Sequence, residues 1–278
     1  MKHYFIVLAL AIPLFAQEEP PDLDSSYESL KTAVEQKDAA AVKKLSAQTF
    51  DIAQKILAGD NKDRFEHAKE VQKYAEYSLS ATALTSTDSK TVMDLTEMLE
   101  QRNPKSEYLT HVLAKYSAAA RQAGHADKAI TLAEKVVKND PQNAEALLVV
   151  AEANMQKRPA VASDYASRAA QILTAKKASE AVIGNANYIA GVSYGAQSKW
   201  PQTNTALQAA LPSIKGNPQA MGYALFYLGM ANYQLGQLTL NRAQMQQGMK
   251  YFEQCAAIAG PMQAQASQNV SAIKAQLR

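Results

Sequence analysis

Few side chains in this sequence could take part in catalysis. The histidines and the cysteine of the 278-residue chain are His3, His67, His111, His125 and Cys255. Glu66, His67 and Glu70 fall within about one helical turn, a spacing at which a carboxylate can orient an imidazole for proton transfer. No nucleophile motif accompanies this group, so a solvated helix face is the better interpretation of it.

Metal and nucleotide chemistry have equally little support. The three histidines beyond His3 lack a cysteine, histidine or acidic partner at a repeated metal-ligand spacing. The chain has no phosphate-binding loop, no nucleotide-binding glycine fingerprint and no nucleophile elbow. Cys255 shares a helical stripe with Tyr251, Phe252 and Ile258, which favours a small buried residue, with a reactive or intermolecular thiol as the alternative. We therefore expect no enzyme, no metal site and no cofactor.

The amino-acid composition predicts the secondary structure that must position any functional residues. Apolar residues make up 47% of it and charged residues 20%, values that exclude a disordered protein. It holds 51 alanines and 24 glutamines against 11 glycines and 10 prolines, a balance that favours helices throughout. Residues 17–143 carry 17 basic and 21 acidic side chains, and residues 144–278 carry 11 basic and 5 acidic ones. The overall charge of +3 gives no reason to expect nucleic acid as a partner.

The N-terminus has the pattern of an export signal. Lys2 and His3 precede an apolar run, residues 4–15, that is shorter than the roughly 20 residues a membrane span needs. Residues 1–16 are therefore interpreted as a signal peptide, with an uncleaved anchor as the alternative, and the protein is expected to be periplasmic or secreted. Residues 17–24 are acidic and contain two prolines, which predicts an extended tether. Ser25 and Glu28 form a capping box, which predicts the start of the first helix.

The remaining sequence has helical periodicity and a repeated helix-start signal. Asn103-Pro104, Asp140-Pro141 and Asn217-Pro218 each combine a good N-cap with a residue suited to the first helical position. Each pair therefore predicts the start of a new helix.

One stretch has small residues at a spacing that later parts of the chain repeat. It reads LAKYSAAARQAGHADKAITLAEKVVKNDP and places small residues at Ser117 and Ala129 before Pro141. This resembles the tetratricopeptide repeat, a helix pair of about 34 residues. Further copies begin near residues 144, 184 and 222, with extra residues at 158–180 and an insertion at 237–247.

The resemblance implies an all-α, right-handed α-solenoid of antiparallel helix hairpins. Its divisions are degenerate repeats at 25–109, tetratricopeptide-like repeats at 110–260 and a C-terminal capping helix at 261–278. Small side chains at Ala120, Ala133, Ala151, Gly191 and Gly229 are expected where two helices cross closely.

The resemblance also implies a binding groove. In that family, set positions of each first helix face the concave side. The predicted groove residues are Asn185, Tyr188, Val192, Tyr223, Phe226, Met230 and Tyr233, with weaker candidates at His111, Arg121, Glu145, Leu148, Glu152 and Met155. The alternative is that these residues only pack between helices.

The function expected on these grounds is an exported, non-catalytic scaffold that binds a protein or peptide segment in its groove. An envelope-assembly or secretion accessory protein, peripherally docked on a membrane machine, is one alternative. A hydrolase or carbohydrate-active enzyme with an unrecognised site is the other. No stable membrane span is expected after cleavage of the leader.

Overall fold

The computed structural model describes residues 22–60 and 62–277. The expected signal peptide and residues 17–21 of the expected tether lie outside the described residues. The structure is 82% helical, with thirteen α-helices and, among the described residues, no strand. Successive helices pack against each other in a solenoid-like row, so the predicted all-α solenoid is confirmed.

The helices follow one another with short connections. They are α1 Leu23–Glu35, α2 Ala39–Leu57, α3 Phe65–Thr85, α4 Ser89–Arg102, α5 Glu107–Gln122, α6 Ala126–Asn139, α7 Ala144–Asn154, α8 Pro159–Ala175, α9 Glu180–Gly195, α10 Trp200–Ile214, α11 Pro218–Leu238, α12 Arg242–Ala256 and α13 Gln263–Leu277. A short 3₁₀ helix, Lys62–Arg64, precedes α3. The odd-numbered helices α1 to α11 are called the first helices of six hairpins, and α2 to α12 the second helices.

The hairpins repeat more regularly than the sequence suggests. The first helices begin at residues 23, 65, 107, 144, 180 and 218, so the step is 42 residues twice and then 37, 36 and 38. The expected extra residues at 158–180 mostly form α8, and those at 237–247 lie in the end of α11, a short turn and the start of α12. Lengthened helices, rather than long loops, therefore absorb the departures from a repeat of about 34 residues.

Small side chains lie where two helices of a hairpin cross, as predicted. The Ser117 hydroxyl donates a 2.8 Å hydrogen bond to the backbone oxygen of Ala129 across the third hairpin. A Cβ atom added to Gly191 would lie 2.5 Å from Cγ of Leu207, and one on Gly229 would lie 2.7 Å from Cδ1 of Phe252. Larger residues at these positions would force the helices apart.

Two of the three predicted Asx-Pro helix starts are wrong. Asn217 does cap α11, because its side-chain oxygen accepts a 3.0 Å bond from the Ala220 N–H and Pro218 opens the helix. Asn103 and Asp140 instead end α4 and α6. Their side chains accept bonds from the backbone N–H two residues on, which forms a turn, and α5 and α7 start three residues after the proline in each case.

The first helix also begins earlier than its predicted capping box. Asp22 is the N-cap of α1, since its side chain accepts a 2.8 Å bond from the Ser25 N–H. Ser25 therefore lies in the first turn, and Leu23 is buried against Ala53, Ala68 and Val71. The last residues of the expected tether, 22–24, belong to the folded body.

The last helix, α13, covers the end of the row. Ala266 and Ile273 are its buried residues, and they join a cluster with Phe226, Phe252 and Cys255. Within the described part of the chain, no helix is both long and apolar enough to cross a bilayer.

Candidate functional site

The surface formed by the first helices is called the inner face. Consecutive first helices contact one another along the whole row, from α1 with α3 to α9 with α11. Among the second helices of the described chain, only α2 and α4 approach as closely. Tighter spacing on one side makes the row curve toward that side, so the inner face is concave.

A pocket of about 370 Å³ opens on the C-terminal part of the inner face. Its polar lining residues come from three successive first helices and from the end of α10 and the turn after it. They are Glu152 of α7, Asn185 and Tyr188 of α9, Gln219 and Tyr223 of α11, and Ser213 and Asn217 at the turn between α10 and α11. Three of them were predicted from sequence as groove residues, and Glu152 was a weaker candidate. The pocket therefore combines one carboxylate, three amides, two phenols and one serine hydroxyl.

The tyrosines beneath this pocket are partly buried. Burial, with the nearby Tyr223 and Tyr227 hydroxyls, raises the pKa of Tyr188 to about 12. Burial also raises the pKa of Tyr227, whose ring packs where a Cβ of Gly195 would otherwise lie. At neutral pH both groups are uncharged phenols, suited to hydrogen bonding and apolar contact but not to proton abstraction.

The other predicted groove residues have different surroundings. Val192 is buried in the core between α9 and α11. Phe226 is 7% exposed and stacks edge-on against Phe252, with 5.7 Å between ring centroids.

Met230 and Tyr233 contact α13 on the remaining turns of α11. The Asn269 side chain lies 3.9 Å from the Met230 sulfur, and the Tyr233 hydroxyl bonds to Gln276. Because α13 lies over this part of α11, the predicted groove set is split between an open pocket and the packing of the last hairpin.

A row of aromatic rings on the N-terminal half of the inner face was not foreseen from the sequence. It is called the aromatic row and consists of His67, Tyr27, Tyr74, Tyr77, Tyr108 and His111, from α1, α3 and α5. Neighbouring ring centroids lie 5.1 to 6.5 Å apart, mostly in edge-to-face geometry. Tyr77 lies near the middle of this row, and 46% of its surface is exposed to solvent.

Charges beside the aromatic row are paired within the protein. Lys31 lies 3.9 Å above the Tyr27 ring and bonds to Glu28. Lys73 forms a 2.8 Å ion pair with Glu107, and its hydrogen bond lowers the pKa of that exposed carboxyl. The row therefore presents ring surface rather than unbalanced charge.

The acid–histidine group considered from sequence does not assemble. His67 lies 2.6 Å from Asp24 of α1, and Glu66 pairs with Lys69. Cys255 is buried and donates a 3.3 Å bond to the Gly222 carbonyl oxygen, and burial raises the pKa of its thiol. No cluster of three or more metal-ligating side chains occurs in the part of the chain that the structure describes.

Larger cavities lie on the outer face, between second helices. One of about 760 Å³ lies between α8 and α10, and one of about 730 Å³ between α6 and α8. The first has only uncharged lining residues, five of them alanines. We favour the inner face as the candidate site because aromatic and polar side chains from up to three hairpins converge there.

Comparisons with known proteins add little. No family model matches the chain, and no curated protein matches it. Among solved structures, BtubC (BKLC) from P. vanneervenii aligns over 87% of this chain and 95% of its own, with 16% identity and a TM-score of 0.38. A likeness at this level supports no conclusion about fold family or function.

Proposed function

We propose that this protein is an exported, tetratricopeptide-like scaffold that binds an extended protein segment along its inner face. The observation that carries the proposal is the aromatic row, in which four tyrosines from three hairpins form one continuous surface. Aromatic side chains supply large contact area at low entropic cost, which makes them frequent anchors in protein recognition.

The pocket around Tyr188 extends this surface into the C-terminal half. Its amides can donate and accept hydrogen bonds with a peptide backbone or polar side chains, and its carboxylate can accept them. The pocket begins at α7, the first helix next to α5 of the aromatic row, so a bound segment would cross α5, α7 and α9 in turn. Recognition would thus require a partner segment long enough to cross these helices, with aromatic or apolar side chains as anchors. It would not depend on one cluster of charged residues.

Site-specific photocrosslinking in the native host tests where the partner binds. A photoreactive phenylalanine analogue replaces Tyr77 or Tyr223 on the inner face, and Tyr165 of the outer face serves as the matched control. We expect one protein to crosslink through both inner positions and not through Tyr165. Equal crosslinking from the outer position would contradict the assignment.

Affinity measurements on the identified segment then test the energetics. Tyr77→Ala and Tyr223→Ala should each weaken binding about tenfold, the loss usual for an anchor residue, whereas Tyr165→Ala should leave it unchanged. Phe226 and Tyr233 are unsuitable for this test because their contacts with α12 and α13 make their replacement a packing defect. An unchanged affinity in both inner variants, with native circular dichroism, would refute the proposal.

A further inference from the structure

Two leucines protrude from the turn between α11 and α12. Leu238 is 76% exposed and Leu240 is 89% exposed, the highest values among the exposed large apolar residues of the described chain. All six residues from 238 to 243 are exposed. The turn therefore presents apolar side chains directly to solvent.

The fold does not require leucine at position 240. Residue 240 adopts a left-handed φ of 53°, and the next N–H, that of Asn241, bonds back to the Gly236 oxygen. Three other hairpins use the same turn with Lys37, Gly124 and Ser198 at the equivalent position. Glycine or a polar residue satisfies this geometry, and a leucine there places an apolar side chain in solvent at some conformational cost.

The same edge of the solenoid is basic. The within-hairpin turns of the last three hairpins follow one another along it, and Gln197 of one turn donates a 3.0 Å bond to the Pro159 oxygen beside the next. These turns carry the exposed residues Lys157, Arg158, Lys199 and Arg242. The five acidic residues of positions 144–278 lie outside these turns, at 145, 152, 164, 180 and 253, and Asp164 lines one pocket together with Arg158.

From this combination we propose that the edge docks on an anionic phospholipid bilayer, with Leu238 and Leu240 entering the interface. Protruding apolar side chains flanked by cations match a membrane surface, where apolar burial and attraction to anionic lipid act together. The proposal goes beyond partner binding, since the edge is separate from the inner face.

The first test measures sedimentation of the full chain with vesicles of equal parts phosphatidylglycerol and phosphatidylcholine. We expect binding that weakens with added salt and falls about tenfold in the double variant Leu238→Ser, Leu240→Gly. The glycine is compatible with the left-handed backbone, so this change should preserve the turn. Ser198→Gly is the matched control, because it changes the same turn position without removing apolar surface, and its binding should equal that of the native chain.

The charge contribution is measured in the same assay. Lys157→Gln and Lys199→Gln should each lower binding about fivefold, as expected for a basic residue near an anionic surface. All variants share the apolar N-terminal run, so its own affinity for lipid is common to every comparison. Binding that is unaffected by the leucine pair would overturn the proposal.

A local probe locates the contact. An environment-sensitive dye on Thr239→Cys should shift its emission to the blue when vesicles are added, whereas the same dye on Lys177→Cys, at the opposite edge, should not. The native Cys255 is buried and so does not compete for the label. No shift at position 239 would overturn the proposal. A shift caused by soluble polyglutamate and not by vesicles would also overturn it, and would identify an acidic polypeptide as the partner of this edge.

Discussion

Two glycines of helix α11 should respond in opposite ways to the same substitution. A Cβ on Gly222 would meet only Ile258, at 4.0 Å, whereas a Cβ on Gly229 would lie 2.7 to 2.9 Å from three atoms of the Phe252 ring. Ordinary contact begins at 3.4 Å, so the ring would have to retreat by about 0.7 Å. Phe252 is 1% exposed and packs against Phe226, which leaves it little room to move.

The magnitudes follow from two opposing effects. Replacing glycine by alanine inside a helix is worth about 1 kcal/mol of helix propensity at either position. Overpacking a buried contact costs about 1–3 kcal/mol and applies only at Gly229. Gly222→Ala should therefore stabilise the protein by up to about 1 kcal/mol, and Gly229→Ala should destabilise it by up to about 2 kcal/mol.

Thermal unfolding followed by circular dichroism measures the difference. At about 2–4 °C per kcal/mol for a chain of this size, Gly222→Ala should raise the melting temperature by up to about 4 °C and Gly229→Ala should lower it by up to about 8 °C. Helix propensity is the same in both variants, so their difference isolates the contact with Phe252. A Gly229→Ala protein as stable as Gly222→Ala would refute the packing argument.

Three further predictions concern single polar groups. Ser117→Ala should lower the free energy of unfolding by about 1 kcal/mol in urea titrations, because it removes a buried hydrogen bond, and no loss would show that the bond is replaced. The pKa of Tyr188 is about 12 in the folded state, above that of a free tyrosine, so the folded protein holds more protons at high pH. Stability should thus be unaffected below about pH 10 and fall between about pH 10 and 12, less steeply in Tyr188→Phe; equal slopes would contradict this. Burial raises the pKa of the Cys255 thiol, so a thiol reagent should label it only after denaturant is added, and rapid labelling of the native protein would contradict its burial.

Close helix crossings could be predicted from the sequence because only small residues permit them. Ser117, Gly191 and Gly229 lie at such crossings, where the spacing of small residues directly reflects contact geometry. Helix starts were less predictable. Asn and Asp accept backbone hydrogen bonds equally well in a turn and at an N-cap, so Asn103 and Asp140 could not be assigned from residue type alone.

The candidate site was only partly predictable, for two physical reasons. The positional rule for Phe226, Met230 and Tyr233 assumes an open face, but α13 packs on this side of α11, and its docking depends on tertiary contacts. The aromatic row lies in the hairpins with a 42-residue step, where no shared motif fixes the register of one helix against the next. The sequence does place four tyrosines on three successive first helices. They form a row only when these helices stack against one another.

The tight inner layer and the open outer layer have a mechanical consequence. In the N-terminal half, four ion pairs tie the outer second helices together across their gaps, namely Lys43–Asp94, Arg102–Asp51, Lys128–Glu97 and Lys135–Glu100. The groove between α8 and α10 has uncharged walls instead. The first helices, which contact one another along the whole row, would therefore act as the axis about which the row bends. We expect added salt to loosen the N-terminal half, where ion pairs join the second helices, more than the C-terminal half.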